Sequence, residues 1–335
     1  MSTSDSKPGS AVRSRILVVR LGSMGDIIHA LPAVATLKHS FAGSRLCWVL
    51  DAKWMALAED NPFIDRLIPL ERRTARGLWE TWRRLRGTRF DFAVDFQGLV
   101  KSALVASVAR PDRIYGFHQS QVREKAAALF YSNRVRAGAA HVVDRNIELA
   151  AATGASSILR TFHLPEGSPE GELPPDYVLA SPLAGWRGKQ WPLEYYRALA
   201  QRLESELGLP LVLNGPPGAA GFLAGVPEAR AHLSGVPGLI HATRRAAAVV
   251  GIDSGPLHLA AALGKPGVAV FGPTDPARNG PYGDSFTVLR GVGAVTSYKR
   301  RPEIDPSMWA VTPDAVFEAL KERIASRSRP AGRPA

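Results

Sequence analysis

Short apolar runs and longer stretches of helical periodicity alternate along this chain, and the alternation predicts its fold. In the first half the apolar runs are 16–19, 46–50, 66–70, 90–95 and 113–116. Each has the length and composition of a strand buried in a parallel sheet. Helices are expected between them over about 26–39, over 52–59, and after Gln97-Gly98 as far as 109. The arginine-rich 71–89 reads as partly helical, and 123–131 and 142–152 as two further helices. Strand, helix and strand in series predict a parallel sheet with helices on both faces. The composition then breaks: 164–176 carries four prolines and four acidic residues and reads as a linker. The pattern restarts with strands at 177–181, 211–213, 246–252, 267–271 and 287–289, and with helices at 192–207 and 256–263. A closing helix is expected at 313–325, where Val316, Leu320 and Ile324 recur at helical spacing. The expected organisation is a disordered tail (1–14), an α/β unit (15–163), the linker (164–176), a second α/β unit (177–311), a C-terminal helix (312–326) and a second disordered tail (327–335), with a cleft between the units.

Composition narrows the class. A length of 335 residues suggests two domains, and 45% apolar residues suffice for a sizeable core. The formal charge of +12 favours anionic partners: nucleic acid, an anionic membrane face or phosphorylated substrates, with a solubilising surface as the plain alternative. Cys47, the one cysteine, lies in an apolar run and is expected to be a core thiol, so an intramolecular disulfide is excluded and a reducing cytoplasm fits. The polar first residues do not resemble a signal peptide, and no stretch is long and apolar enough to span a membrane, so a soluble or peripheral protein is expected.

The stretch 246–276 holds the strongest candidate chemistry. An apolar strand runs into Asp253-Ser254-Gly255-Pro256, a helix begins, and a second strand ends in Gly272-Pro273-Thr274-Asp275-Pro276. Ligands bind at the carboxyl ends of strands in such a βαβ unit. Pro256 suits the first helical position, and Ser254 or Asp253 suits the cap. The free N–H groups of that helix start can hold a phosphate, and His258, one turn on, can point at the same ligand. An ordinary capped turn with a core histidine is the alternative. Asp26 follows Gly22 and Gly25 in a strand-to-helix turn and is either a helix cap or a general base facing the cleft. Lys189, between a strand end and a helix start, either neutralises a diphosphate or is a solvated loop lysine. Arg72, Arg73, Arg76, Arg83, Arg84 and Arg86 either bind anions or form a solvated helix face, and Arg123, His141 and Arg145 at predicted helix starts could add to an anion site. No zinc-ligand spacing, Gly-x-Ser-x-Gly elbow, P-loop or Gly-x-Gly-x-x-Gly fingerprint occurs, so a metal site is unsupported and an NAD-dependent oxidoreductase ranks low.

Five segments resemble, in order, the ADP-heptose:lipopolysaccharide heptosyltransferases of glycosyltransferase family 9: residues 22–32 (GSMGDIIHALP), 95–103 (DFQGLVKSA), 189–192 (KQWP), 253–258 (DSGPLH) and 271–276 (FGPTDP). The resemblance runs from about Ile16 to Ala325, and the Ser-Met-Gly-Asp and Gln-Gly-Leu-Val-Lys-Ser forms are closer to the type I branch than to type II. It implies a GT-B fold, two Rossmann-like doubly wound domains with the acceptor on the first and the nucleotide sugar on the second. It also implies inverting, metal-independent transfer of heptose from ADP-heptose to Kdo of Kdo-lipid A, by a cytoplasmic enzyme peripheral to the inner membrane of a Gram-negative-type bacterium, with no cofactor. Asp26 then matches the general base, and Lys189 the lysine on the donor phosphates. Gly25, Asp253, Ser254, Gly255, Pro256 and His258 match donor-binding positions, and Arg72, Arg73, Lys101, Arg123, His141 and Arg145 acceptor-side positions. Two departures stand out. Ala184 and Gly185 replace hydroxyl residues before Lys189, and 214–222 lacks the acid that holds the nucleotide ribose. Other readings are a family member with a different nucleotide sugar or acceptor, such as a type II-like enzyme, and a basic nucleic-acid-binding protein, although no RNP-type strand or helix-turn-helix pattern occurs.

Overall fold

A computed structural model describes residues 14–297 and 299–327; the two expected tails lie, but for Ser14 and Arg327, outside the described residues. The first sheet is built from β1 (Arg15–Val19), β2 (Arg45–Asp51), β3 (Arg66–Leu70), β4 (Phe92–Asp95), β5 (Arg113–Phe117) and β6 (Asn133–Val135). The second is built from β7 (Val178–Ala180), β8 (Leu211–Gly215), β9 (Arg230–Leu233), β10 (Ala248–Ile252), β11 (Gly267–Phe271) and β12 (Phe286–Arg290). All the pairings are parallel, with Val18 beside Trp48 and Val94 in the first sheet and Val250 beside Ala180 and Val268 in the second. The strand order is β3-β2-β1-β4-β5-β6 in one and β12-β11-β10-β7-β8-β9 in the other. Counted from its own first strand, each sheet reads 3-2-1-4-5-6, the doubly wound order of a Rossmann unit. Its switch points lie between β1 and β4 and between β7 and β10.

Helices α1 (Met24–Ser40), α2 (Ala75–Arg86), α3 (Val100–Val108) and α4 (Val142–Ala151) belong to the first half; α5 (Leu193–Arg202), α6 (Ala220–Leu223), α7 (Val236–Arg245), α8 (Gly255–Ala262), α9 (Pro276–Asn279), α10 (Pro306–Trp309) and α11 (Pro313–Arg327) belong to the second. The central strands follow the expected runs because their side chains are buried on both faces. The differences have local causes. The fourth strand starts at Phe92 and not at 90, since the Asp91 carboxylate instead accepts the Arg15 N–H at 2.7 Å. The helix expected at 123–131 is a 3₁₀ turn, Lys125–Phe130. The helix from 192 keeps α geometry only to Arg202, then widens over Leu203–Leu207 and stops at Gly208, whose φ of 64° favours glycine. Strands β6 and β9 and helices α6 and α7 were not expected. Each is an edge strand: β6 has no fully buried residue and β9 has mostly exposed ones, so neither carries an apolar run.

Helix α1 ties the halves together. Ile27, Ile28, Leu31, Val34 and Leu37 are buried, and each contributes about 1.5–3 kcal/mol by leaving water. They share one apolar cluster with Leu257 and Leu259 of α8 and Ile240 of α7, so the core is continuous between the sheets. On the far face of the first sheet lie α2, α3 and the 125–130 turn. On the second sheet α11 packs Val316, Phe317 and Leu320 beside α5. The segment 164–176 is strapped down: Arg244 donates to the Leu164 carbonyl at 2.7 Å, and Glu170 accepts the N–H groups of Gly235 and Gly238 at the start of α7.

Candidate active site

The first side of the site grows from β1. Its apolar run ends at Val19, and the next residue, Arg20, stays 8% exposed because the chain is still between helices. A buried guanidinium must be paired. Arg20 donates to the Phe96 carbonyl and to the Asp26 carboxylate. Helix α1 starts at Met24, two residues before the expected start, with Ser23 as cap residue. Asp26 is therefore the third helical residue. Its Oδ2 accepts the Ser23 N–H at 2.9 Å and the Ser23 hydroxyl at 3.0 Å, the capping-box return bond. Burial raises the Asp26 pKa, but Arg20 and the Ser23 bonds outweigh it, and the net shift is downward. The carboxylate is ionised at neutral pH and 40% exposed, whereas its arginine is 9% exposed.

The next strand in the sheet supports Arg20. Asp95 ends β4 beside Val19, is fully buried, and accepts from Gln97 N–H at 2.8 Å, Ser102 Oγ at 2.8 Å and Tyr131 Oη at 2.7 Å. Burial still drives its pKa up. Gln97 Oε1 in turn accepts the Leu21 N–H at 2.8 Å. The segment 95–102 is thus a brace that fixes the Phe96 carbonyl under Arg20. Sequence reasoning missed Arg20, whose partner Phe96 lies 76 residues away; its one signal is a charge directly after an apolar strand.

The second side repeats the plan with the exposures reversed. Asp253 follows β10 and is 7% exposed. Its Oδ2 is 3.0 Å from Lys189 Nζ and its Oδ1 is 3.6 Å from His258 Nε2. Lys189 reaches it from the turn Arg187–Lys189 that follows β7. Burial works to raise the Asp253 pKa, but His258 and Lys189 hold it at about 2. Helix α8 starts at Gly255 with Ser254 as cap and Pro256 in the first turn. The hydroxyls of Ser254 and of Thr274, in the turn after β11, are buried without a hydrogen-bond partner among the described residues, so both have hydrogen-bonding capacity to spare. Thr274 was not singled out from sequence.

The two sides meet at two glycines. A Cβ on Gly25 would strike the His258 ring, and a Cβ on Gly255 would strike Met24, so each helix start accepts a side chain of the other. The line Asp26, Gly25, His258, Asp253, Lys189 is therefore continuous across the cleft. His29, one turn after Asp26, lies 4.2 Å from the His258 ring and 5.7 Å from the His141 ring, centroid to centroid. His141 Nδ1 accepts the Val143 N–H at 3.1 Å, so Nε2 carries the proton that faces the Gly280 carbonyl at 3.1 Å, and the ring is neutral. Burial, helped by neighbouring histidines, holds His29 well below the usual imidazole range and His141 below it.

The acceptor-side candidates all follow carboxyl ends of first-sheet strands. Arg72 follows β3 and pairs with Asp51 at 2.8 Å; Lys101 stands in the first turn of α3; Arg123 follows β5; His141 caps α4, and Arg145 stacks over Phe117 one turn later. Between described residues, no hydrogen bond or ion pair joins Arg73, Lys101 or Arg123 to the Asp26 group. In the second half, Asn214 opens the segment 214–222, in which the acid expected after Gly215 is missing. It is 5% exposed, and its amide is spent on His232 at 2.9 Å and Ser234 at 2.7 Å. Among the described residues, no group of His, Cys, Asp or Glu is arranged to hold a metal ion, and no helix is long and apolar enough to cross a membrane.

Comparison with known proteins agrees with this geometry. The profile of glycosyltransferase family 9 (heptosyltransferase) matches residues 78–303. Lipopolysaccharide heptosyltransferase 1 of Pseudomonas aeruginosa is 32% identical, over 81% of this chain and 82% of the relative. The Escherichia coli K12 protein of the same name is 29% identical, over 82% and 93%. Among solved structures, E. coli heptosyltransferase WaaC with ADP superposes with a TM-score of 0.74 at 27% identity, covering 92% of this chain and 99% of that one. E. coli ADP-heptose lps heptosyltransferase II gives 0.77 at 22% identity, covering 94% and 100%. The fold is thus GT-B, as the sequence resemblance implied.

The buried histidines set a pH limit. His29 and His141 bind protons more tightly in the unfolded chain, where the pKa is 6.5, than in the folded one. Their stability is fully present above about pH 6.5 and is lost as pH falls below it. Thermal melts between about pH 7.5 and about pH 5.5 should show a falling Tm. The variant His29→Gln should flatten that fall; an equally steep fall would remove His29 as its source.

Proposed function

The chain belongs to glycosyltransferase family 9, the heptosyltransferases, and on that footing we propose that it is a glycosyltransferase of lipopolysaccharide inner-core synthesis. It moves heptose from ADP-L-glycero-D-manno-heptose to the Kdo of Kdo-lipid A, with inversion and without a metal. The observation that carries the reading is the reversed exposure of the two ion pairs. In Arg20–Asp26 the carboxylate is open and the cation is buried; in Lys189–Asp253 the carboxylate is the more buried partner. An open, ionised carboxylate suits proton abstraction, and a lysine beside a helix start with two spare hydroxyls suits a diphosphate.

The proposed step follows. A Kdo hydroxyl attacks the anomeric carbon of heptose, and its proton passes to Asp26. The new glycosidic bond forms as the bond to the β-phosphate oxygen breaks, and ADP leaves with the electron pair. Lys189 and the N–H groups at the start of α8 oppose the charge that grows on ADP. Ser254 and Thr274 supply further donors. Asp253 holds Lys189 and His258 in place. Arg72, Arg73, Lys101, Arg123, His141 and Arg145 take the acceptor's carboxylates and phosphates. An anionic lipid acceptor calls for a protein peripheral to the inner face of the cytoplasmic membrane.

Mass spectrometry of Kdo₂-lipid A incubated with the protein, ADP-heptose and EDTA tests the reading. One added heptose is expected. No product from folded protein would move the assignment to another nucleotide sugar, with the segment 214–222 as the first place to consider.

Two variants separate the sides of the site. Asp26→Asn should lower turnover by about 10²–10⁴-fold with ADP affinity little changed. Lys189→Gln should weaken ADP binding roughly 10-fold or more. Near-normal turnover in the first, or unchanged calorimetric ADP binding in the second, would overturn that residue's role.

Arg20 gives a sharper test. Since it holds the Asp26 pKa down, Arg20→Met should move the acid limb of the kcat profile toward neutral pH, and Arg20→Lys should partly restore it. An unmoved acid limb in folded Arg20→Met would mean that Asp26 does not set it.

A further inference from the structure

Helix α2 presents the wrong residues to water. Its buried positions are Gly77, Thr81 and Leu85, one per turn, so only a narrow stripe meets the first sheet. Leu78, Trp79 and Trp82 stand outside it at 48%, 57% and 40% exposure. The two indole rings stack on each other at 4.7 Å, with an interplanar angle of 18°. At 3.6 residues per turn these three side chains share one arc of the exposed surface. Arg76, Arg83 and Arg84 occupy the next arc, and Arg86, the last helical residue, falls between Trp82 and Trp79 with its guanidinium 5.6 Å from the Trp82 ring. The helix is amphipathic, and among the described residues none covers its apolar arc.

Its surroundings extend the pattern. α2, α3 and the 125–130 turn form the layer on the face of the first sheet that points away from the second half. That layer leaves Leu104 at 47% and Leu129 at 75% exposure. Within 71–89 the acids are only Glu71 and Glu80, and Glu80 is taken by Arg76 at 2.9 Å. An apolar arc of tryptophan and leucine flanked by arginine matches one environment in particular, the headgroup boundary of an anionic bilayer. There indole rings rest between acyl chain and water, and guanidinium groups meet phosphates.

We propose that α2 is the membrane-contact element of this protein: Leu78, Trp79 and Trp82 enter the headgroup layer of an anionic bilayer, and Arg76, Arg83, Arg84 and Arg86 bind its phosphates. The helix begins two residues after the pair Arg72-Arg73, so the bilayer contact adjoins the acceptor side of the cleft. The reason for a bilayer rests on the proposed lipid acceptor; the surface itself does not.

The test uses the full chain and vesicles of phosphatidylethanolamine with phosphatidylglycerol, against vesicles of phosphatidylcholine alone. Co-sedimentation with the anionic vesicles and a blue shift of tryptophan emission are expected, both weakened by salt. The double variant Trp79→Ser/Trp82→Ser should lose binding by about tenfold or more. Arg83→Gln/Arg84→Gln/Arg86→Gln should lose the preference for anionic lipid. Trp309→Ser, an exposed tryptophan of the second half, should bind as the unaltered protein does. Absence of vesicle binding, or binding unchanged in both α2 variants, overturns the proposal. So does a dimer, seen by analytical ultracentrifugation, that the tryptophan variant dissolves while vesicle binding is absent, since the arc would then serve a second copy of the chain. Transfer to a water-soluble, deacylated acceptor should be equal in the unaltered protein and the α2 variants. Failure of that reaction in the unaltered protein counts against the proposed function and leaves vesicle binding to decide the role of α2.

Discussion

Two helices begin at the same place, and this constrains everything around them. The starts of α1 and α8 each carry unsatisfied N–H groups and a partial positive charge, and they approach until Met24 lies on Gly255 and His258 on Gly25. Like ends that close repel unless negative charge stands between them. Asp26 and Asp253 supply it, one in the first turn of α1 and one just before α8. Each carboxylate is in turn held by a cation, Arg20 or Lys189. The arrangement alternates in sign, so the two halves can share one continuous apolar interface without an uncompensated charge beneath it.

The sheets explain why these four residues meet. In a doubly wound sheet the loops part at the switch point and leave a crevice at the carboxyl ends of the strands. Arg20 and Asp26 follow β1, and Asp95 ends its neighbour β4; Lys189 follows β7, and Asp253 follows β10. Each ion pair therefore stands over the switch point of its own sheet, and facing the sheets brings the pairs together. The buried Asp95 matters here without touching the crevice. Its three hydrogen bonds spend the conformational freedom of 95–102, so Arg20 finds the Phe96 carbonyl already placed. Placement of Asp26 then costs little further order.

What the sequence disclosed follows from how local the signals are. The inner strands were legible since burial on both faces demands an unbroken apolar run. The edge strand Arg230–Leu233 was not, because Arg230, Ala231 and Leu233 face solvent and nothing periodic remains to read. Asp26 was legible through its glycine-flanked turn, but the helix start was misplaced: a serine three positions before the expected start competes for the cap, and Ser23 won. Arg20 and His29 escaped notice because their meaning lies in partners contributed by distant segments, Phe96 for one and His141 and His258 for the other. The absence of an acid after β8 was visible in sequence. That Asn214 is turned inward, onto His232 and Ser234, was not.

A carboxylate whose pKa is pressed down by an arginine is a weaker base, which sits awkwardly with a proposed role in taking a proton. The conflict dissolves when timing is considered. A sugar hydroxyl is far too weak an acid to give its proton to any carboxylate before reaction. It becomes acidic only as its oxygen bonds to the anomeric carbon, and at that stage even a modest base suffices. What matters before that stage is that the base be ionised and aimed. Arg20 on Oδ1 and the two Ser23 bonds on Oδ2 provide both, while the side chain stays two-fifths exposed. After transfer, the arginine keeps its hydrogen bond to the Phe96 carbonyl but loses its anionic partner, so the buried guanidinium drives the proton off Asp26 again and restores the base. Basicity is given up for orientation, and the chemistry of a late proton transfer makes that exchange favourable.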